Sequence, residues 1–460
     1  MSARSTYNRR NRSESEDLAF DSPRNRGGVD VQFLILTIVL LVLGLIALFS
    51  ASFPKEYYRT ASHNPFGMII RQLGWVAAGL VLMYLASRLH IGNVKPAPPD
   101  VPFLGKIEYF KVRARAMTIM RLTLLLLVPL AIIGGLYLFL GKVVHAPAAA
   151  KAVRAFGNSI GVLTVNGATR WLFFFQPSEF AKVGLILGIA SIMCRSHFKT
   201  RHIIAYAGAT VIMLLCQPHL SASIIVIAIT IVMLYTGGAL RNPIMFVGIG
   251  LAFAALFIII ALTNAKFTKL STEYYDNRDT GMSHSAAIEI YRDGVGMYQF
   301  GRVVSWLHPD FDTQGESYQA NQSLLAVGSG GLLGQGLTKS RQKYFYLPEA
   351  QNDYIFAIWC EEMGFVGTIP VIVIFLLLIL RGLWIAIHAR DRYTSLVVVG
   401  IMTMLGVQVF FNIGVVTNYL PSTGISLPFF SYGGTALMVQ LGEMGIVLSA
   451  SRDMHLTKRG

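Results

Sequence analysis

Apolar residues run in long unbroken stretches along the chain, and polar residues gather between them. Such stretches fill windows at about 32–52, 68–87, 118–140, 178–194, 202–218, 221–236, 244–263, 353–387, 395–419 and 429–450. Residues 33–51 hold no charge at all. A helix of ~20 apolar residues crosses a hydrocarbon core of ~30 Å. The pattern therefore predicts an all-α polytopic integral membrane protein with about ten transmembrane helices. Window 353–387 is long for a single crossing and is expected to tilt or to protrude from the bilayer.

The polar intervals complete the layout. Residues 1–30 have no periodic apolar face and read as a disordered cytoplasmic tail. That tail is too long and too acidic for a signal n-region, and the following run is too long for an h-region. Residues 31–452 form the membrane domain, with a tail at 453–460. Within it, 93–116 is a proline-interrupted basic loop, suited to anionic headgroups. Residues 264–352 form the longest polar stretch, too long to be a mere connector.

Charge orients the chain. Arginines 4, 9, 10, 12, 24 and 26 precede the first window, and Lys and Arg recur in alternate short loops. The loops near Pro218 and Pro421 have none. Positively charged loops stay in the cytoplasm. Both termini are thus expected inside and 264–352 outside. The composition agrees: 54% of residues are hydrophobic and 14% charged, against ~25% charged in ordinary soluble domains. The net charge of +15 then marks cytoplasmic loops, and no nucleic-acid partner is expected. Cys194, Cys216 and Cys360 fall in predicted spans without metal-ligand spacing and read as packing residues.

Five stretches could carry chemistry. "NGATRWLFFFQPSEFAKVGL", residues 166–185, puts Arg170, Glu179 and Lys182 in or beside an apolar span. Ionisable groups at membrane depth are costly and default to a functional reading. Two cations near a helix start suit a diphosphate. The plainer alternative is a Glu179–Lys182 pair, three residues apart on one face, that neutralises itself. "QPHLSAS" places His219 before a span, where a lone histidine is usually solvated. "HPDFDTQGESYQANQSL", from His308, holds Asp310, Asp312 and Glu316, with Arg302 upstream. A carboxylate there could act as general base on a sugar hydroxyl, or merely cap a solvated turn. "YLPEAQNDYIFAIWCEEMGFVG" brings Asp353, Glu361 and Glu362 into a long apolar helix, as caps or as cavity lining. "NYLPSTGISLPFFSYGGTALM" breaks a hydrophobic pair with prolines and glycines. Non-helical backbone at that depth needs protein or a watery cavity around it. The run "GSGGLLGQGL", 328–337, permits close backbone approach but lacks the context of a phosphate loop.

In their order and spacing these motifs resemble the SEDS family, which comprises FtsW, RodA and SpoVE. The resemblance covers roughly residues 32–450. It implies a peptidoglycan glycosyltransferase that polymerises lipid II on the outer side of the bacterial cytoplasmic membrane. It also implies a class B penicillin-binding protein as partner, among other divisome or elongasome proteins. The family's essential acid, counted back from Tyr318, falls on Asp312, which would deprotonate the acceptor hydroxyl. Arg170 and Lys182 match positions associated with the lipid diphosphate. The expected substrate-binding set is Arg170, Glu179, Lys182, Arg302, Tyr318, Gln322 and Ser431. No metal ligand is assigned, and a divalent cation, Mg or Mn, stays an alternative stabiliser of the leaving group. The chain departs from the family at Thr313, where proline is usual, and at His219, where an acid is usual. Two other readings fit the spans: a flippase for lipid-linked precursors, and an assembly scaffold. The flippase reading leaves the carboxylate-bearing outer loop unexplained, and the scaffold reading needs no catalytic residue.

Overall fold

The computed structural model describes residues 27–59, 63–91, 112–140, 147–159, 161–165, 168–173, 175–195, 198–217, 219–239, 306 and 317–454. The expected span 244–263 and most of the expected outer loop up to 316 lie outside them. The other nine windows each yield a helix: α1 (Val31–Arg59), α2 (Gly67–Arg88), α3 (Val112–Leu138), α5 (Pro177–Met193), α6 (Thr200–Cys216), α7 (Leu220–Thr236), α9 (Ile355–Ile387), α10 (Arg392–Val416) and α11 (Gly434–Arg452). Five of these, α1, α2, α3, α9 and α10, are long and apolar enough to cross a membrane unaided.

Three features depart from the simple span pattern. A short helix, α4 (Pro147–Ser159), and an antiparallel hairpin, β1 (Val162–Val165) with β2 (Ala168–Leu172), fill the interval before α5. A further helix, α8 (Tyr318–Gly330), begins within the expected loop. Residues 429–433, expected as helix, are not helical, and α11 starts only at Gly434. The tail boundary at 30 also moves. The Gly27 N–H donates to the Arg452 carbonyl at 3.1 Å, and the Asp30 carboxylate accepts from Arg381 at 2.7 Å.

Helix α11 lies along α2, α3 along α5, and α9 against α1 and α10. In lipid there is little hydrophobic drive between helices, so close backbone packing matters. Gly184 and Gly188, one turn apart on α5, give that approach. A Cβ on either would run into Thr123 or Met120 of α3.

The Gly27–Arg452 contact puts both ends of the described core on one face of the bundle. At the other face several elements meet residues 417–433. Ser221 Oγ at the start of α7 donates to the Thr423 carbonyl. Ser323 Oγ of α8 donates to the Val416 carbonyl at 2.8 Å, and Trp306 Nε1 to the Asn418 carbonyl at 3.0 Å. The chain thus leaves α7 at Gly237, where Arg392 reaches its carbonyl at 2.6 Å, and returns at Ser317 on the opposite face.

Candidate active site

The charged cluster is built at the start of α5. Pro177 opens the helix, with Gln176 as an extended N-cap that supplies no side-chain bond. The first N–H groups of such a helix lack intrahelical acceptors, and its partial positive charge favours anions. The preceding β2 brings Arg170, half-buried, to the same end. Lys182, one turn in, is 2% exposed. Its ammonium lies 2.8 Å from the Glu179 carboxylate, so the self-neutralising pair is present.

Two further groups face this pair. His219, at the N-cap of α7, is 6% exposed rather than solvated as expected. Ser221, two residues further on, donates to the Thr423 carbonyl and sets this end of α7 against residues 417–433. Burial first, then the nearby charges of Arg170 and Lys182, hold its imidazole well below the usual range. Glu443, half-way along α11 and 6% exposed, lies within electrostatic reach of Lys182 and Glu179. On α5, at the start of α7, in 417–433 and on α11, the buried atoms Ser178 Oγ, His219 Nδ1, Thr423 Oγ1 and Gln440 Nε2 have no hydrogen-bond partner among the described residues. Such a collection of cations, donors and helix starts can receive an anionic group.

The glycine-rich run has a structural task. Helix α9 is not one tilted rod, because Gly364 breaks it with φ 62° and ψ −168°. A break strands backbone groups that lipid cannot satisfy. Residues 331–336 fill the gap: Gln335 and Gly336 N–H donate to the Glu361 and Glu362 carbonyls, both at 2.9 Å. The Phe365 and Val366 N–H groups donate to the Gly331 and Leu332 carbonyls, at 2.9 and 3.0 Å. The two acids before the break secure the next turn. Glu361 accepts from Ser340 Oγ and from the Arg341 N–H. Glu362 accepts from Ser50 Oγ of α1 at 2.6 Å and from Lys343 Nζ at 2.8 Å, both charged side chains being 1% exposed. Glu361 and Glu362 are therefore buried anchors, neither caps nor cavity lining.

Ser431 is buried and engaged: it donates to the Asn352 carbonyl at 2.7 Å and accepts from the Leu427 N–H at 2.8 Å. It ties 417–433 to the start of α9. Tyr318 and Gln322 stand half-buried on the first turns of α8. Arg302, Asp310, Asp312, Thr313 and Glu316 lie outside the described residues. Among the described residues the fold thus joins Arg170, Glu179 and Lys182 in one cluster, with His219 and Glu443 added. Sequence reading passed over Glu443, although a lone acid inside an apolar window is itself the signal. It also passed over Lys343, the cation that pairs with Glu362.

These features define a multi-pass membrane protein with a charged cluster buried near one end of its helix bundle. Residues 152–456 match the cell cycle protein family of FtsW, RodA and SpoVE, and the chain belongs to that family. It is 32% identical to stage V sporulation protein E of Bacillus subtilis (strain 168) over 437 residues, 92% of this chain and 97% of the relative. It is 30% identical to the peptidoglycan glycosyltransferase MrdB of Escherichia coli (strain K12) over 439 residues, 93% of this chain and 96% of that one. The fold matches the rod shape determining protein RodA of Thermus thermophilus with a TM-score of 0.53 at 22% identity, covering 93% of this chain and 98% of that one. It also matches a chain of a peptidoglycan synthase complex with a TM-score of 0.60 at 23% identity, covering 93% and 99%.

Proposed function

We propose that this protein is a peptidoglycan glycosyltransferase that polymerises lipid II at the outer face of the bacterial cytoplasmic membrane. The observation that carries the reading is the Arg170–Lys182 pair set into the bundle at the start of α5. Fixed cations beside helix N–H donors are what a lipid-linked diphosphate needs. Relatives of nearly the same length named as peptidoglycan glycosyltransferases support the same chemistry.

In the reaction, Asp312 takes the proton of the acceptor GlcNAc 4-hydroxyl. That oxygen bonds to the anomeric carbon of the donor, and the bond to undecaprenyl diphosphate breaks with its electron pair on the leaving oxygen. A single displacement turns the α-linked donor into a β-1,4 linkage. Arg170 and Lys182 meet the charge that develops on the diphosphate. Tyr318 and Gln322, at the start of α8, and Arg302 are assigned to substrate contact, Ser431 to shaping the wall, and Glu179 to holding Lys182. As for a divalent cation, Mg or Mn, no group of three or more carboxylate, histidine or cysteine side chains among the described residues fits one. Both termini are assigned to the cytoplasm, and a class B penicillin-binding protein is the proposed partner, within a divisome or elongasome assembly. The kinship of this fold with a chain of a peptidoglycan synthase complex is consistent with such a partner.

A flippase reading draws on the broken α9 and the non-helical 417–433, devices that transporters also use. Purified protein given lipid II, with and without a penicillin-binding partner, separates the readings. Glycan polymer on a gel is the expected product. Transbilayer movement of lipid II without polymer would establish the flippase instead.

A further inference from the structure

Helix α4, Pro147–Ser159, carries none of the residues assigned to the reaction. Of the residues described on it, Gly157 alone is buried and Val153 half-buried. These two are four apart and share one face, which rests on α3. Val153 packs with Leu130, Ile133 and Val162, and a Cβ on Gly157 would touch the Ile133 side chain. Ile133 comes five residues before α3 ends at Leu138, which is ~7.5 Å short of the helix end. Helix α4 therefore lies beside the last turns of a span, not beyond them. Interfacial helices sit at that depth, about 5–10 Å into the boundary of headgroups and acyl chains.

The exposed faces of α4 divide as such a helix requires. With about 3.6 residues per turn, Ala152 and Phe156 fall on one side of the buried face, and Lys151, Arg154 and Asn158 on the other. Phe156 is 63% exposed. On α3 itself Ile132 and Leu136 are exposed in the same way, so an apolar outer surface continues from the span. No aspartate or glutamate occurs anywhere from residue 109 to residue 178, so no carboxylate of this stretch balances Lys151 and Arg154. An exposed aromatic beside a basic edge suits a surface of anionic headgroups.

We propose that α4 lies in the membrane–water interface and holds the phosphate headgroups of anionic phospholipids. Phe156 enters the acyl boundary, and Lys151 and Arg154 meet the phosphates. This role is independent of the transferase chemistry. Fluorescence of the full chain in phosphatidylcholine nanodiscs tests it. Phe156→Trp adds one tryptophan to the five of the chain, and the parent signal is subtracted. All three side chains are exposed, so the variants should fold. The added emission should be quenched by lipid brominated high on the acyl chain. Brominated phosphatidylglycerol should quench several-fold more than brominated phosphatidylcholine at equal mole fraction. Adding Lys151→Gln should remove part of that preference. Adding Arg154→Gln as well should remove nearly all of it, with quenching by brominated phosphatidylcholine retained. No quenching by either lipid would put α4 in water and overturn the proposal. Equal quenching by the two lipids would overturn it too, as would displacement of the brominated phosphatidylglycerol by a small fraction as much lipid II.

Discussion

The ammonium of Lys182 and the carboxylate of Glu179 lie 2.8 Å apart, one turn from each other on α5, with the lysine buried and the glutamate partly so. Either residue alone would be an uncompensated charge at membrane depth. This pairing means that a loss of function at Lys182 must be separated from a loss of fold.

Arg170 makes that separation simpler, because it is only half-buried on β2. Arg170→Ala should reduce use of a lipid-diphosphate donor by at least about tenfold, the effect of losing one charged hydrogen bond of ~1.5–3 kcal/mol. Its melting temperature should stay near that of the parent. Lys182→Ala should lower both, because it leaves Glu179 unpaired. Polymerisation and melting measured side by side decide the matter, and equal melting losses in the two variants would remove Arg170 from the site.

The Lys343–Glu362 pair, at 2.8 Å with both side chains 1% exposed, anchors the loop that fills the break in α9. Removing one partner from a buried pair costs ~3–5 kcal/mol. Lys343→Met alone and Glu362→Gln alone should each be strongly destabilised in detergent. Lys343→Met with Glu362→Leu should be less so, since no charge is left unanswered. A double variant worse than both single ones would contradict this.

Gly364 needs its left-handed backbone, φ 62°, and has no room for a methyl group. A Cβ there would collide with the Gly334 nitrogen and the Leu332 carbonyl oxygen. Backbone strain of this kind costs ~1–3 kcal/mol before the collision is counted. Gly364→Ala should therefore melt lower and expose residues 331–336 to protease. Unchanged melting would mean that the break has another cause.

His219 gives a pH dependence with a definite sign. Its imidazole is held neutral in the fold by burial and by the charges of Arg170 and Lys182, well below the ordinary value of 6.5. The unfolded chain therefore binds the extra proton first as pH falls. Stability should drop below about pH 6.5, by up to ~1.4 kcal/mol per pH unit. Melting at pH 7.5 and 5.5 would reveal it. His219→Asn should flatten the curve, and an unaltered curve would assign the effect to other groups.

Hydrophobic run length alone located all nine described bundle helices, with ends up to about seven residues away, because each span must satisfy its own backbone in lipid. It failed where other physics takes over. Asn166 and Gly167 between Val162–Val165 and Ala168–Leu172 form a hairpin signal that a search for spans passes over. The break at Gly364 was hidden because its replacement hydrogen bonds come from 331–336, distant in sequence. Arg170, Glu179 and Lys182 were legible as a group because one short stretch carries them. Glu443 joins them only through the packing of α11 on α5, which no local pattern encodes. His219 read as a solvated edge residue for the same reason.

The central claim is that Asp312 is the general base of lipid II polymerisation. The direct measurement is polymer yield over time from purified protein, with Asp312→Asn, Asp310→Asn and Glu316→Gln compared at equal folded concentration. General-base catalysis contributes ~10²–10⁴ in rate. Asp312→Asn should lose at least about a hundredfold while melting and inserting like the parent, and the other two should change the rate only modestly. An inactive Asp310→Asn beside an active Asp312→Asn would move the base two residues upstream. Full activity in both aspartate variants would contradict the mechanism altogether.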